Sequence, residues 1–266
     1  MKPGLLVLDF DGVVCDGIDE MVETSRRTLA ELSGRDAPPD RRAELHTRFA
    51  ALRPAIESGW EMVALYGLLL EQDAAADAGL RDVTRWAAAR DAYLRAHALA
   101  RGPIATTFDE VRARWMATNP RDWLTRHRFY PGIAEWLRAL LAGEQLVYIL
   151  STKGKPFLEA LLAWQTVPIP PDFVIGRSEP KREKWEVMRE LLVMHGVAAS
   201  DLWFVEDRLA TLLDLRRHAT DLARARVFLV DWGYVFPDRD PAAARAAGIP
   251  VLDLARATGP FDRWPA

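Results

Sequence analysis

The chain has 266 residues, of which 50% are hydrophobic and 27% charged, and its formal net charge is −3. Such a balance can bury a substantial core without disulfides or structural metals, and the single cysteine, Cys15, excludes a disulfide framework and a thiolate zinc site. The near-even mix of 35 basic and 38 acidic residues gives no global electrostatic reason to bind nucleic acid or an anionic membrane.

The first predicted element is the apolar run Leu5–Leu8, a buried strand that delivers Asp9-Phe10-Asp11-Gly12 to its C-terminal tip. Residues i and i+2 leave a strand on the same face, so Asp9 and Asp11 can point into one pocket. Two acids that close repel unless a cation or a shared proton intervenes, and Gly12 permits the sharp turn that follows. Taken alone, the stretch reads either as a two-carboxylate pocket or as a solvated acidic turn. Cys15 reads as a neutral turn residue, since neighbouring carboxylates disfavour a thiolate. The apolar run is too short for a signal-peptide core or a membrane span, and a cytoplasmic location is the expectation.

From about Gly17 to Arg128 the chain carries amphipathic helical patterns over Glu20–Leu32, Arg41–Ala51, Trp60–Glu71, Leu80–Leu99 and Phe108–Met116. Ser33-Gly34, Pro38-Pro39, Gly79, Gly102-Pro103 and Asn119-Pro120 read as the breakers between them. This is an all-helical insertion, residues 17–128, directly after the acidic loop. A module placed there is expected to sit above the strand tips as a cap, with Asp16–Gly17 and Tyr130-Pro131-Gly132 as hinges. Within it, Arg53 can meet a substrate anion or pair with Glu57 at i, i+4. The ten tryptophans read as filling of core and cap rather than as a stacking platform.

After the insertion, strand-like runs at Leu146–Leu150, Phe173–Ile175, Leu202–Val205, Val227–Val230 and Pro250–Leu252 alternate with helical patterns at Ile133–Ala142 and Trp185–Met194. Continuous rather than alternating hydrophobicity predicts a parallel sheet covered on both faces. The fold class is therefore α/β, a doubly wound, Rossmann-like core formed by residues 1–16 plus 129–266 around the inserted helical cap. The second strand ends in Ser151-Thr152-Lys153-Gly154, where a hydroxyl and backbone N–H groups make either an anion-binding corner or a plain helix cap. A basic stretch after the third strand offers Lys181 and Lys184 as cations that reach the strand tips or remain solvated. The fourth strand ends in Glu206-Asp207, a second acidic tip. Acids at two tips on one sheet edge form a hard-oxygen site suited to Mg²⁺, at the edge where doubly wound sheets bind ligands. The five histidines are scattered, with no ligand spacing among them.

Four segments in order resemble the motifs of the haloacid-dehalogenase-like (HAD-like) superfamily: Asp9-Phe10-Asp11-Gly12-Val13, Ser151 after its strand, Lys184 opening an apolar helix with Lys181 as the weaker choice, and Glu206-Asp207. The Glu-Asp form and Tyr130-Pro131-Gly132-Ile133 are similar to the helical-capped, beta-phosphoglucomutase-like subfamily. Thr152 stands where asparagine is frequent, and the third motif lacks the usual Lys-Pro. Val205–Thr211 and Asp231-Trp232-Gly233-Tyr234 also resemble uncharacterised cyanobacterial and plant members.

The resemblance implies a Mg²⁺-dependent phosphatase that hydrolyses a small phosphate monoester through an aspartyl-phosphate. Asp9 would be the nucleophile and Asp11 the acid and base, with Ser151 and Lys184 holding the transferring oxygens. Asp9, Asp11 through its backbone carbonyl, Asp207 and Glu206 would hold the metal. Thr152 and Arg53 join Ser151 and Lys184 as expected substrate contacts. The partner implied is a small phosphate ester, with neither nucleic acid nor membrane. A phosphotransferase or mutase on the same scaffold, and a catalytically silent phosphate-binding regulator, are the competing readings.

Overall fold

The computed structural model describes residues 2–177 and 182–265. The chain divides into two compact units, Met1–Asp16 with Arg128–Ala266, and Gly17–His127.

The first unit is built on a six-stranded sheet. Its strands are β1 (Leu5–Leu8), β4 (Val147–Leu150), β5 (Val174–Ile175), β6 (Leu202–Glu206), β7 (Arg226–Val230) and β8 (Val251–Leu252), while β2 (Cys15–Asp16) and β3 (Arg128–Phe129) form a separate antiparallel pair. The sheet order is β5-β4-β1-β6-β7-β8 and every pairing is parallel. Helices such as Ile133–Ala142, Lys155–Trp164, Lys184–His195 and Leu209–His218 follow the strands in alternation. This is the α/β, Rossmann-like architecture expected of continuous apolar runs, because every residue of β1 and β4 is buried. The chain passes from β1 to β4 and β5 on one side, then returns to β6 on the other, so β1 lies at the topological switch point.

One face of the sheet packs Val7, Tyr148, Leu150 and Phe204 with Met188 and Leu191 of the helix Lys184–His195 and Leu212 and Leu215 of the helix Leu209–His218. Trp203 and Phe228 form an aromatic cluster with Trp264, ring centroids 5.0–5.5 Å apart. Burial of each such large apolar side chain stabilises the unit by about 1.5–3 kcal/mol, so the strand tips rest on a well-anchored frame.

The second unit is helical. Ile18–Ser33 packs against Gly59–Glu71 and Arg101–Thr118, and in its first turn the buried Glu20 receives Arg112 through Nε at 2.7 Å and through a terminal guanidinium nitrogen at 2.9 Å. Two sequence expectations are corrected here. The pattern Leu80–Leu99 is not one helix: it breaks into Asp77–Leu80 and Val83–Ala96, because the Asp82 carboxylate caps the second by accepting from the N–H groups of Thr84 and Arg85. Gly102-Pro103 is not a breaker: it lies in the first turn of Arg101–Thr118, where a missing proline N–H costs nothing. Among the described residues no helix is long and apolar enough to cross a membrane.

Candidate active site

The C-terminal ends of β1, β4 and β6 bring the candidate residues of the α/β unit together. Asp9, at the end of β1, is buried, and its N–H donates to Val205 O of β6. Glu206 ends β6 and Asp207 follows it, both buried. One carboxylate oxygen from each of Asp9, Glu206 and Asp207 falls within 4.8 Å of the others. Three carboxylates at that separation are unstable without positive charge.

Part of that charge comes from Lys184, the first residue of the helix Lys184–His195. Its Nζ lies 2.9 Å from Asp9 Oδ1 and 2.6 Å from Glu206 Oε2. Burial works against the ammonium ion, but the Asp9 and Glu206 carboxylates outweigh it and hold the lysine above its ordinary value. Burial also opposes the charge of Glu206, which Lys184 nevertheless keeps low, with the Asp207 N–H helping. Asp9 is pushed the other way, first by burial and then by the Glu206 charge, against the pull of Lys184. Lys184 Nζ is close, but among the described residues Asp9 Oδ1 accepts no hydrogen bond of good angular geometry. A buried carboxylate oxygen among two further carboxylates, with one ammonium group beside them, fits a hard divalent cation.

The backbone around the acids is tightly folded. Gly12 has φ +89°, and a Cβ there would stand 1.8 Å from Asp207 Oδ2. A Cβ on Gly233 would stand 2.2 Å from Gly12 O. The loop after β7 thus presses against the loop after β1, and the Tyr234 N–H donates to Asp207 Oδ2 over 2.9 Å. That bond fixes one oxygen of Asp207 and so orients the other. Tyr234 also donates its hydroxyl to Asp16 Oδ1. Tyr130 is held far above the ordinary phenol range by burial, reinforced by the charges of Asp16 and Asp207.

At the end of β4, Ser151 is buried and its Oγ accepts the Lys153 N–H at 3.2 Å. The hydroxyl serves its own turn rather than capping the next helix, whose N-cap is Gly154 with no side-chain cap. Thr152 is exposed, whereas Lys153 is buried and its Nζ lies 2.9 Å from Asp11 Oδ1. Lys153 carries no sequence signal beyond its place two residues after the hydroxyl at the strand tip.

Solved structures share the fold. A predicted phosphatase from Clostridium acetobutylicum matches at TM-score 0.61 and 12% identity, covering 96% of this chain and 95% of its own. A haloacid dehalogenase-like hydrolase from Streptococcus pneumoniae matches at TM-score 0.53 and 13% identity, over 94% of both chains. A HAD family hydrolase from Deinococcus radiodurans, solved with phosphate and sodium bound, matches at TM-score 0.50 and 18% identity, over 96% of this chain and 93% of its own.

The chain has the fold of the HAD-like hydrolases.

No family model and no curated protein matches the sequence. In the α/β unit the four segments that resemble the superfamily's motifs occupy the ends of β1, β4 and β6 and the start of the helix Lys184–His195. Lys181, the weaker lysine candidate, lies outside the described residues. Arg53 belongs to the helical unit, where it donates to Ile56 O over 3.0 Å and points Nε at Met21 Sδ. A few residues on, Glu61 closes a capping box with Ser58 at the start of the helix Gly59–Glu71.

Proposed function

We propose that the α/β unit hydrolyses a small phosphate monoester, with Asp9 as the nucleophile. One observation carries this reading: the carboxylates of Asp9, Glu206 and Asp207 converge, and the Lys184 ammonium group contacts the first two. The fold shared with hydrolases and phosphatases supports it, as does the phosphate bound in the Deinococcus neighbour.

Mg²⁺ suits an all-oxygen donor set, and Asp9, Asp207, Glu206 and the Asp11 carbonyl would hold it. Once bound, it offsets the charge of a carboxylate meeting an anionic phosphoryl group. In the first half, an Asp9 oxygen bonds to phosphorus as the ester P–O bond breaks. Asp11, protonated, gives its proton to the departing oxygen. In the second half, Asp11, now a carboxylate, takes a proton from water as the water oxygen bonds to phosphorus. The Asp9–phosphorus bond breaks and phosphate leaves, with Asp11 again protonated. Lys184, at the start of its helix, and the Ser151 hydroxyl, at the end of β4, hold the transferring oxygens. Thr152 at the same edge and Arg53 are proposed as further substrate contacts.

A phosphate-release assay with p-nitrophenyl phosphate and Mg²⁺ tests the reading. Phosphate should appear with Mg²⁺ and stop on chelation, and no release at any Mg²⁺ concentration would overturn it. Phosphate recovered on an added sugar rather than in solution would instead mark a phosphotransferase.

A further inference from the structure

We infer that Lys153 is a positioning residue that holds Asp11 for the second half of the reaction, the breakdown of the phosphoenzyme; the inference rests on the phosphatase reading above. Lysine is rarely buried without a partner that needs its charge. Here the Lys153 side chain is 2% exposed and that of Asp11 15% exposed. Lys153 Nζ and Asp11 Oδ1 are 2.9 Å apart in a charge-assisted hydrogen bond.

The backbone holds Lys153 as firmly as the side chain holds Asp11. Its N–H donates to Ser151 Oγ at 3.2 Å, and its carbonyl accepts the Arg177 N–H at 3.0 Å. Gly176 permits that approach, since a Cβ there would stand 2.8 Å from Lys153 O and 2.4 Å from Lys155 N. The ammonium group is thereby carried on the loop after β4 while its partner is carried on the loop after β1.

An ammonium ion pairs with the carboxylate form of Asp11. That is the form in which Asp11 accepts the proton of water while the water oxygen bonds to phosphorus and the Asp9–phosphorus bond breaks. Because Lys153 engages Oδ1, the second carboxylate oxygen is the one turned to the water. In the first half Asp11 instead delivers a proton, and an aryl oxide leaves without needing one. The two halves therefore separate when the ester is p-nitrophenyl phosphate.

The experiment compares wild type, Lys153→Met and Lys153→Arg in steady-state and rapid-mixing assays with p-nitrophenyl phosphate and Mg²⁺, after thermal melting has verified folding. Positioning of a general base is expected to be worth about 10–100-fold, part of the usual acid–base contribution. Lys153→Met should therefore lower kcat by about that factor and leave kcat/KM within about threefold. It should also show a burst of p-nitrophenolate as phosphoenzyme accumulates. Lys153→Arg, which keeps the cation, should retain more of kcat than Lys153→Met. A parallel fall of kcat and kcat/KM without a burst, or an unchanged kcat, would overturn the role while leaving the phosphatase reading standing. Wild-type protein that releases no phosphate would overturn both.

Discussion

Lys184 Nζ stands 2.9 Å from Asp9 Oδ1, an ammonium ion in contact with the carboxylate proposed to attack phosphorus. The contact serves two ends. It offsets charge where three carboxylates converge, and it supplies a donor at the place where phosphoryl oxygens would gather.

Lys184→Met should therefore damage both stability and turnover. Removing one partner from a buried ion pair costs about 3–5 kcal/mol, and losing an oxyanion donor costs about 10²–10³-fold in kcat. Urea unfolding at neutral pH and the phosphate-release assay measure the two losses. A variant as stable and active as wild type would remove Lys184 from both tasks.

Gly12→Ala should disturb the acidic cluster from the backbone side. The added Cβ would collide with Asp207 Oδ2, and φ +89° strains any residue with a side chain. Positive φ alone costs about 1–3 kcal/mol in a non-glycine residue. The variant should melt lower and need more Mg²⁺ for half-maximal turnover. Unchanged Mg²⁺ dependence would mean that Asp207 does not hold the metal.

Metal binding should also appear without catalysis. A ligand present at a hundred times its dissociation constant stabilises the native state by about 2.7 kcal/mol. Saturating Mg²⁺ should raise the melting temperature of the wild-type protein over its value in chelator, and Asp207→Asn should erase most of the rise. An equal rise in both proteins would place the cation elsewhere.

A pH effect is expected from the helical unit. Glu23 accepts from Arg26 and from Arg27 on the helix Ile18–Ser33. Burial raises its carboxyl, but those hydrogen bonds outweigh it and hold it down at about 2. The folded value lies below the unfolded one of about 4.3, so the contribution is complete above that pH and is lost as pH falls through the folded value. Glu23→Gln should be less stable than wild type at pH 6, and the gap should close towards pH 2. A gap that persists at pH 2 would mean that the arginine contacts do not act through charge.

Much of this molecule is written in local pattern. Leu5–Leu8 and Leu202–Val205 are legible because strands buried on both faces need unbroken apolar runs, and the acids that end them stand out for the same reason. Lys184 is legible through the family resemblance, which favours a lysine that opens an apolar helix over Lys181. Lys153 is not, since one lysine after Ser-Thr looks like any solvated loop residue, and only the β1–β4 pairing brings it to Asp11. The helical unit misleads at its boundaries for similar reasons. Asp82 stops a pattern that hydrophobic spacing would continue, and Pro103 is harmless at a helix start although it would break a helix interior.

The most direct measurement is the site of the phosphoryl group. Wild-type protein mixed with p-nitrophenyl phosphate and Mg²⁺, quenched in acid and digested, should carry phosphate on the peptide containing Asp9, and Asp9→Asn should carry none and release none. Phosphate release with the label on another residue, or undiminished release from Asp9→Asn, would contradict an aspartyl-phosphate at Asp9.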